Sequence, residues 1–535
     1  MNYDICSMGN NKLKVWLPIL FALVMVFGMM IGYQLRDKTQ GNRFLSLKKS
    51  SALQELVELV RSKYVDPVKI DSISQVAADE LLSRLDPHSV YIPAKDLMEV
   101  NEELMGNFQG IGVEFQLFSD TVHVVTVIKG GPSEKAGMMV GDRLIKVNDT
   151  ISLAGVKIKS EQVRATLRGA ADSKVQVTVL RNGVEKKITI QRGTIPVPTV
   201  DVSYMISPGV GFIRINRFGE PTYEEFMQQL ERLQALGMKE LILDLRGNGG
   251  GLLKEATDIA DEFLDEDKLI VYTEGEHVPK MEYRCKRDGL FEKGKLVVLV
   301  DETSASASEV LSGALQDWDR ATIIGRRSFG KGLVQQQFQL SDGSAVRLTI
   351  ARYFTPLGRN IQKPYDKGKA KYEEDLVSRW HNGELVKADT VKPIGTSYKT
   401  PGGRMVYGGG GITPDIFVAY DTTRLDTALM AMYYKNTMNN FVYRLYLSQR
   451  EKFNSYKTPD DLYGQYLPGE SEWQQLVAFA AKDSIKLAGA SAKDKKFLLH
   501  NVQLMMARQI WRTEGYYELQ NKTDQTVIKA LESLK

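Results

Sequence analysis

Residues 295–318, KLVVLVDETSASASEVLSGALQDW, pass from an unbroken apolar run through a tight turn into a helical pattern. The run LVVLV has no polar alternation, which is how a buried strand reads. The helix that follows carries Val310, Leu311, Ala314 and Leu315 on one face. A buried strand, a sharp turn and an apolar-faced helix in immediate succession commit this part of the chain to an α/β layer. Ser306 falls at the helix N-terminus, beside main-chain N–H groups and the positive end of the helix dipole. Such N–H groups can hold a developing oxyanion, and one donor is worth about 3 kcal/mol of transition-state stabilisation. A serine–alanine alternation alone is equally a helix cap, so the neighbouring motifs decide.

Lys331 stands in SFGKG (328–332), 331 − 306 = 25 positions after Ser306. A lysine in a desolvated site has a lowered pKa and can take a proton from a serine hydroxyl. The stretch GRRSFGKG (325–332) comes close to a phosphate-binding loop, but Gly332 replaces the Ser or Thr that would hold magnesium, and GLVQQQFQL continues as a strand. That favours a neutral base over a charged phosphate clamp. Gln335, four residues on, can share a face with Lys331 and orient it without adding charge. A second backbone-donor loop, DLRGNGGG (244–251), follows the apolar run ELILDL and lacks the full dinucleotide pattern. Its glycines let the main chain approach a substrate closely.

The net charge of +4 in 535 residues gives no reason to expect a nucleic-acid partner. The two cysteines, Cys6 and Cys285, make no disulfide framework, and no two of the five histidines have close ligand spacing, so neither a metal nor a cofactor is expected. Cys285 with His277 nearby is a weak alternative nucleophile, because no oxyanion-forming context surrounds it. Val15–Tyr33 is 33 − 15 + 1 = 19 residues without a charge, about the length a bilayer core requires. Lys12 and Lys14 precede it, so the positive-inside rule puts the N-terminus in the cytoplasm and the bulk outside, in a periplasm if the source has one. The run is longer than a signal-peptide core and no A-x-A site follows, which favours an uncleaved anchor.

The chain divides by pattern. Residues 1–36 form the tip and transmembrane anchor, and 44–104 a helical stalk or docking arm. Residues 105–193 hold short β runs with turn signals, Asn182-Gly183 being a strong hairpin mark. Residues 194–421 read as an α/β core, a β-sheet with flanking helices. Within that core, residues 360–411 are charged and glycine-rich and read as loop or lid. Residues 422–535 are mostly helical and polar.

The unit from GIGVEF to VND is PDZ-like. With DLRGNGGG, SASASE and FGKGLVQ in this order, it resembles the C-terminal processing peptidases, or tail-specific proteases. LDPHSVYIP (85–93), GRNIQ (358–362) and GITPD (411–415) resemble that family as well. The resemblance implies a Ser–Lys serine endopeptidase with an embedded PDZ domain. By position it makes Ser306 the nucleophile, Lys331 the general base and Gln335 the residue that orients the lysine. It implies an oxyanion hole from the N–H groups of Ala307 and of a glycine in 249–251, taken as Gly250. Gly110, Ile111, Gly112 and Val113 match the loop that captures a peptide carboxylate, and Arg143 is a candidate sensor of the bound tail. The expected partners are protein or peptide C-terminal tails and, through Val15–Tyr33, a membrane; an adaptor protein or a homo-oligomer stays open. The competing reading is a non-catalytic PDZ adaptor, and a nucleotide-binding enzyme comes third.

Overall fold

A computed structural model describes residues 52–118, 120–265, 267–387, 395–422, 427–487 and 489–535, together with 16, 18 and 21–30. Among these residues no helix is long and apolar enough to cross a membrane, and the expected span Val15–Tyr33 lies partly outside them. The chain falls into two compact units, 1–77 and 78–535. The first contains the helix Ala52–Lys63, whose apolar side chains Leu53, Leu56 and Leu59 are exposed. A helix Ile70–Ser83 starts in the first unit and ends in the second.

The second unit opens with β1 (Val90–Ile92) and the helix Ala94–Met105. Eight strands follow: β2 (Asn107–Gly110), β3 (Val113–Phe118), β4 (Thr121–Val127), β5 (Arg143–Val147), β6 (Ile151–Ser152), β7 (Lys174–Arg181), β8 (Val184–Gln191) and β9 (Gly193–Pro196). β3-β4-β5-β7-β8 make one sheet, β6 pairs β5, and β2 pairs β9. Their inward side chains, among them Val122, Val124, Leu144, Val177 and Val179, form a separate core. Asn182 and Gly183 both take positive φ, 51° and 81°, as the two-residue turn between β7 and β8 requires. β3 is an edge strand, and the helix Ser160–Leu167 lies beside it.

The remaining strands build two sheets. β10 (Val200–Ser207), β11 (Val210–Ile215), β12 (Glu240–Asp244), β15 (Leu296–Val300), β16 (Thr322–Gly325) and β21 (Ile416–Phe417) lie side by side in that order. All the pairings are parallel except that of β10 with β11. Helices Thr222–Ala235, Leu253–Asp261 and Ala307–Asp317 bury one face. The helix Gln525–Leu534 buries the other through Val527, Ala530 and Leu534. The second sheet is antiparallel and joins β1, β13 (Leu269–Gly275), β14 (Val278–Arg284), β17 (Leu333–Gln339) and β18 (Ala345–Phe354). β1 pairs with β18, Val90 opposite Arg347. The reading of 44–104 as a helical arm is therefore corrected at residues 90–92, which pair into this sheet between two helices.

The stretch 360–411 is also corrected. It contains helices Lys369–Glu373 and Asp375–His381 and the hairpin β19 (Ser397–Lys399) and β20 (Met405–Tyr407). Some of its charges are internal: Arg379, together with Arg327 from outside the stretch, shares the Glu384 carboxylate at 3.0 and 2.7 Å with all three side chains buried. Residues 427–520 form six helices over their own core, which includes Phe441, Leu445, Phe453, Leu476 and Val502.

Candidate active site

β12 and β15 are adjacent and parallel, so the loops at their C-terminal ends, 245–252 and 301–306, emerge side by side. Open α/β sheets place ligand sites at such strand ends. The two loops are stitched together. Ser304 Oγ donates to the Leu245 carbonyl at 2.8 Å, while the Asn248 carbonyl accepts from the Ala305 N–H at 3.0 Å and from Ser308 Oγ at 2.9 Å. Gly250, at φ 100°, lies against the serine: a Cβ there would come within 2.7 Å of both Ser306 Cβ and the Ala305 carbonyl oxygen. Only glycine fits.

Ser306 caps the helix Ala307–Asp317 with φ 56° and ψ −113°. A serine held in so sparsely populated a region costs of order 1–3 kcal/mol and persists only where its surroundings enforce it. The enforcing group is Glu309, three residues on and fully buried. Its Oε2 accepts the Ser306 N–H at 2.9 Å. The same carboxylate accepts the N–H groups of Gly330 at 2.7 Å and Lys331 at 2.9 Å, and the Ser328 hydroxyl. Burial pushes the Glu309 pKa up, and these four donors oppose it. Four donors aimed at two oxygens suit the ionised carboxylate, an acceptor only. The Tyr353 hydroxyl lies between the Ser306 carbonyl, at 3.2 Å, and that of Lys331. Neither Glu309 nor Tyr353 stands out from sequence as a site residue, although the spacing Ser306-x-x-Glu309 is a capping-box signal.

Lys331 Nζ donates to Gln335 Oε1 at 3.0 Å, and Gln335 Nε2 donates to the His88 carbonyl at 2.6 Å. The β17–β18 pairing slips between Val334 and Gln335, a bulge at the residue that meets the lysine. Burial lowers the Lys331 pKa and the Arg347 charge lowers it further, against the pull of Glu309 and Asp86. Ser306, Ala307, Gly250, Lys331, Gln335 and Arg347 line one cavity of about 430 Å³. No hydrogen bond joins Ser306 Oγ to Lys331 Nζ. A larger cavity, about 780 Å³, lies among the C-terminal helices and is lined by Leu429, Val477, Ile485 and Leu498.

Two expected residues fall differently. The Gly250 N–H already donates to Asn248 Oδ1 at 2.9 Å, because the asparagine bends back two residues, so it is not a free oxyanion donor in this arrangement. Arg143 does not line the groove beside β3; it lies opposite His123 on β4. Gly110, Ile111, Gly112 and Val113 do line a groove, of about 260 Å³, between β3 and the helix Ser160–Leu167. Cys285 is buried, and burial above all pushes its thiol up to about 12, which leaves it no nucleophile at neutral pH.

A parallel sheet that holds a serine on a strained turn beside a half-buried lysine, next to a small β domain with an open edge strand, is the architecture of a PDZ-containing serine peptidase. Residues 209–369 match peptidase family S41, 109–191 a PDZ domain, and 428–512 a family of unknown function, DUF8443. The carboxy-terminal processing protease CtpA of Bacillus subtilis is 32% identical over 368 residues, 68% of this chain and 78% of its own length. The carboxy-terminal-processing protease of Bartonella bacilliformis is 32% identical over 331 residues, 61% of this chain and 75% of its own. A solved photosystem II D1 C-terminal processing protease is 27% identical and covers 70% of this chain and 89% of its own, with a TM-score of 0.37. The chain belongs to the carboxy-terminal processing proteases and is a serine protease. Family membership sets the adaptor reading aside.

Proposed function

We propose that this protein is a membrane-anchored endopeptidase that takes protein C-terminal tails and cuts them with a Ser306/Lys331 dyad. Neutral Lys331 accepts the Ser306 hydroxyl proton as Oγ attacks the scissile carbonyl, and the oxyanion forms against the Ala307 N–H at the helix N-terminus. Lys331 then protonates the leaving amine, and water hydrolyses the acyl-enzyme. Gln335 holds the lysine without stabilising its charge as a carboxylate would. The carrying observation is that Lys331, half-buried with a lowered pKa, has the neutral Gln335 as its side-chain partner in the cavity that Ser306 lines. Catalysis requires Ser306 Oγ and Lys331 Nζ to close to hydrogen-bond distance in the loaded enzyme.

The tail adds to the open edge of β3, with its carboxylate on the main-chain N–H groups of the Gly110–Val113 loop. Ile111, Val113 and Leu167 suit an apolar terminal residue. Val15–Tyr33 anchors the protein, with its bulk outside the cytoplasm.

The test is cleavage of a model protein with an apolar, unstructured C-terminal tail. Wild type is expected to cut it, Ser306→Ala and Lys331→Ala are not, and amidating the tail is expected to abolish cutting. Undiminished cleavage by Ser306→Ala would overturn the mechanism, and indifference to amidation would overturn tail recognition.

A further inference from the structure

The orientation of the Gln335 amide is not set by the lysine. An amide presents an oxygen on one side and a donor on the other, and a flip would turn N–H groups toward Lys331 Nζ. What forbids the flip is the His88 carbonyl, which accepts Gln335 Nε2 at 2.6 Å and so leaves Oε1 facing the lysine. The position of residue 88 therefore reaches the base through a single amide.

Residue 88 is held from two sides. On the inner side Asp86 Oδ1 accepts the His88 N–H at 2.8 Å and the Ser89 N–H at 2.9 Å, and Ser89 Oγ accepts the Thr349 N–H of β18 at 3.1 Å. On the outer side the His88 ring meets Tyr372. Its Nε2 lies 2.8 Å from the Tyr372 hydroxyl, and the rings pack edge to face with centroids 5.2 Å apart. Burial, then the Lys331 charge, lowers the His88 pKa to about 4, so the imidazole is neutral at pH 7. Gln362 Nε2 approaches the phenol oxygen at 3.4 Å as a donor, which leaves the phenol hydrogen for His88.

Tyr372 comes from the helix Lys369–Glu373, inside the stretch that composition marks as a lid, and is buried. The same stretch grips the lysine loop at further points. Gln362 Oε1 accepts the Gly332 N–H at 2.8 Å, and the Lys363 ammonium lies 3.9 Å above the Phe329 ring and 4.1 Å above that of Tyr372. These contacts make an outer wall for residues 328–332, opposite the inner wall made by Glu309.

We infer that Tyr372 and His88 are positioning residues for the lysine base: the Tyr372 hydroxyl fixes His88, whose carbonyl fixes the amide of Gln335 against Lys331 Nζ. Residues 362–372 are on this account a built part of the catalytic frame rather than a cover that opens. The inference rests on the Ser–Lys reading above.

The test is a double-mutant cycle on tail-substrate cleavage with wild type, Tyr372→Phe, Gln335→Ala and the double variant. Tyr372→Phe removes one buried hydrogen bond and keeps the ring. It is expected to lower kcat roughly tenfold with KM unchanged. In the Gln335→Ala background the same substitution is expected to have no further effect. A normal kcat, or losses that multiply in the double variant, overturns the inference, because a merely structural role does not pass through Gln335. Thermal unfolding is followed alongside; should Tyr372→Phe not fold, His88→Ala, which keeps the main-chain carbonyl, replaces it in the same cycle with the same expected outcome. Cleavage that survives Lys331→Ala overturns the dyad itself, whereas an inactive Lys331→Ala with a multiplicative cycle overturns only the positioning.

Discussion

The main-chain N–H groups of Ser306 and Lys331 converge on one atom, Oε2 of Glu309, each at 2.9 Å. Residues 25 positions apart in sequence are thus fixed to a single carboxylate. The strain at Ser306 and the turn that presents Lys331 have one common anchor. Glu309→Gln keeps the shape of the side chain but can accept on one oxygen only, so two of the four donors meet an NH₂ group. Each buried donor left unpaired costs about 1–3 kcal/mol. The variant is expected to lose about 2–6 kcal/mol in chemical unfolding of the protease core and most of its cleavage rate. A variant as stable and active as wild type would show that the carboxylate is incidental.

The pH dependence carries a sign that separates Lys331 from other bases. The folded-state pKa of Lys331 is lowered, by burial first and by Arg347 second. On the proposed mechanism the reactive form is the neutral amine, so kcat/KM is expected to rise with pH and to reach half its plateau below the ordinary lysine value of about 10.4. Arg347→Gln removes a charge that disfavours the ammonium, so the rising limb moves to higher pH. Glu309→Gln removes a charge that favours it, so the limb moves to lower pH. A limb that ignores both substitutions belongs to another group.

The parts of the site legible in sequence were those written in local pattern. The run LVVLV, the turn and the apolar helix face of 295–318 specify the strand–turn–helix around Ser306 without outside help. The Lys331–Gln335 spacing sets a contact within one strand and its leading turn, now seen at 3.0 Å. Pairings between distant segments were not legible. Gln335 meets His88 across 247 residues, and no periodicity encodes that. The stretch 360–411 reads as loop or lid because it is charged and glycine-rich, yet its Arg379 and Glu384 are buried and pair with each other, and Glu384 also takes Arg327. The Gly250 N–H is taken by Asn248 through a short-range side-chain bond that competes with any oxyanion role.

The backbone of Ser306 offers a direct measure of stored strain. At φ 56° and ψ −113° a side chain is disfavoured and glycine is not. Ser306→Ala and Ser306→Gly both delete the hydroxyl, so comparing the two isolates the backbone. The glycine variant is expected to be the more stable by about 1 kcal/mol, read as a higher urea midpoint, while both are inactive. Equal midpoints would mean that the turn is not strained.

The helices that follow the core hold the PDZ domain by its first two sheet strands. The Tyr443 ring stacks on Phe118 of β3 with centroids 5.2 Å apart, and its hydroxyl donates to the Val124 carbonyl of β4 at 3.2 Å. Gln509 Nε2 donates to the Val125 carbonyl at 2.9 Å, and Arg512 pairs with Glu114. Glu114 lies on β3 and is one of the residues that line the groove beside that strand, so these helices reach the groove itself. Arg512 takes φ 60° at a kink in the helix Ala492–Gln520. A non-glycine residue in that region is held there by its surroundings. Tyr443 is buried, and truncating a buried aromatic ring to alanine costs about 3–5 kcal/mol. Tyr443→Ala is therefore expected to speed amide hydrogen exchange in β3 and β4 and in the helices around residue 443, while β12 and β15 exchange as in wild type. Acceleration spread evenly over the chain would mean that the ring supports the whole fold. Acceleration confined to the helices would mean that the PDZ domain holds its strands unaided.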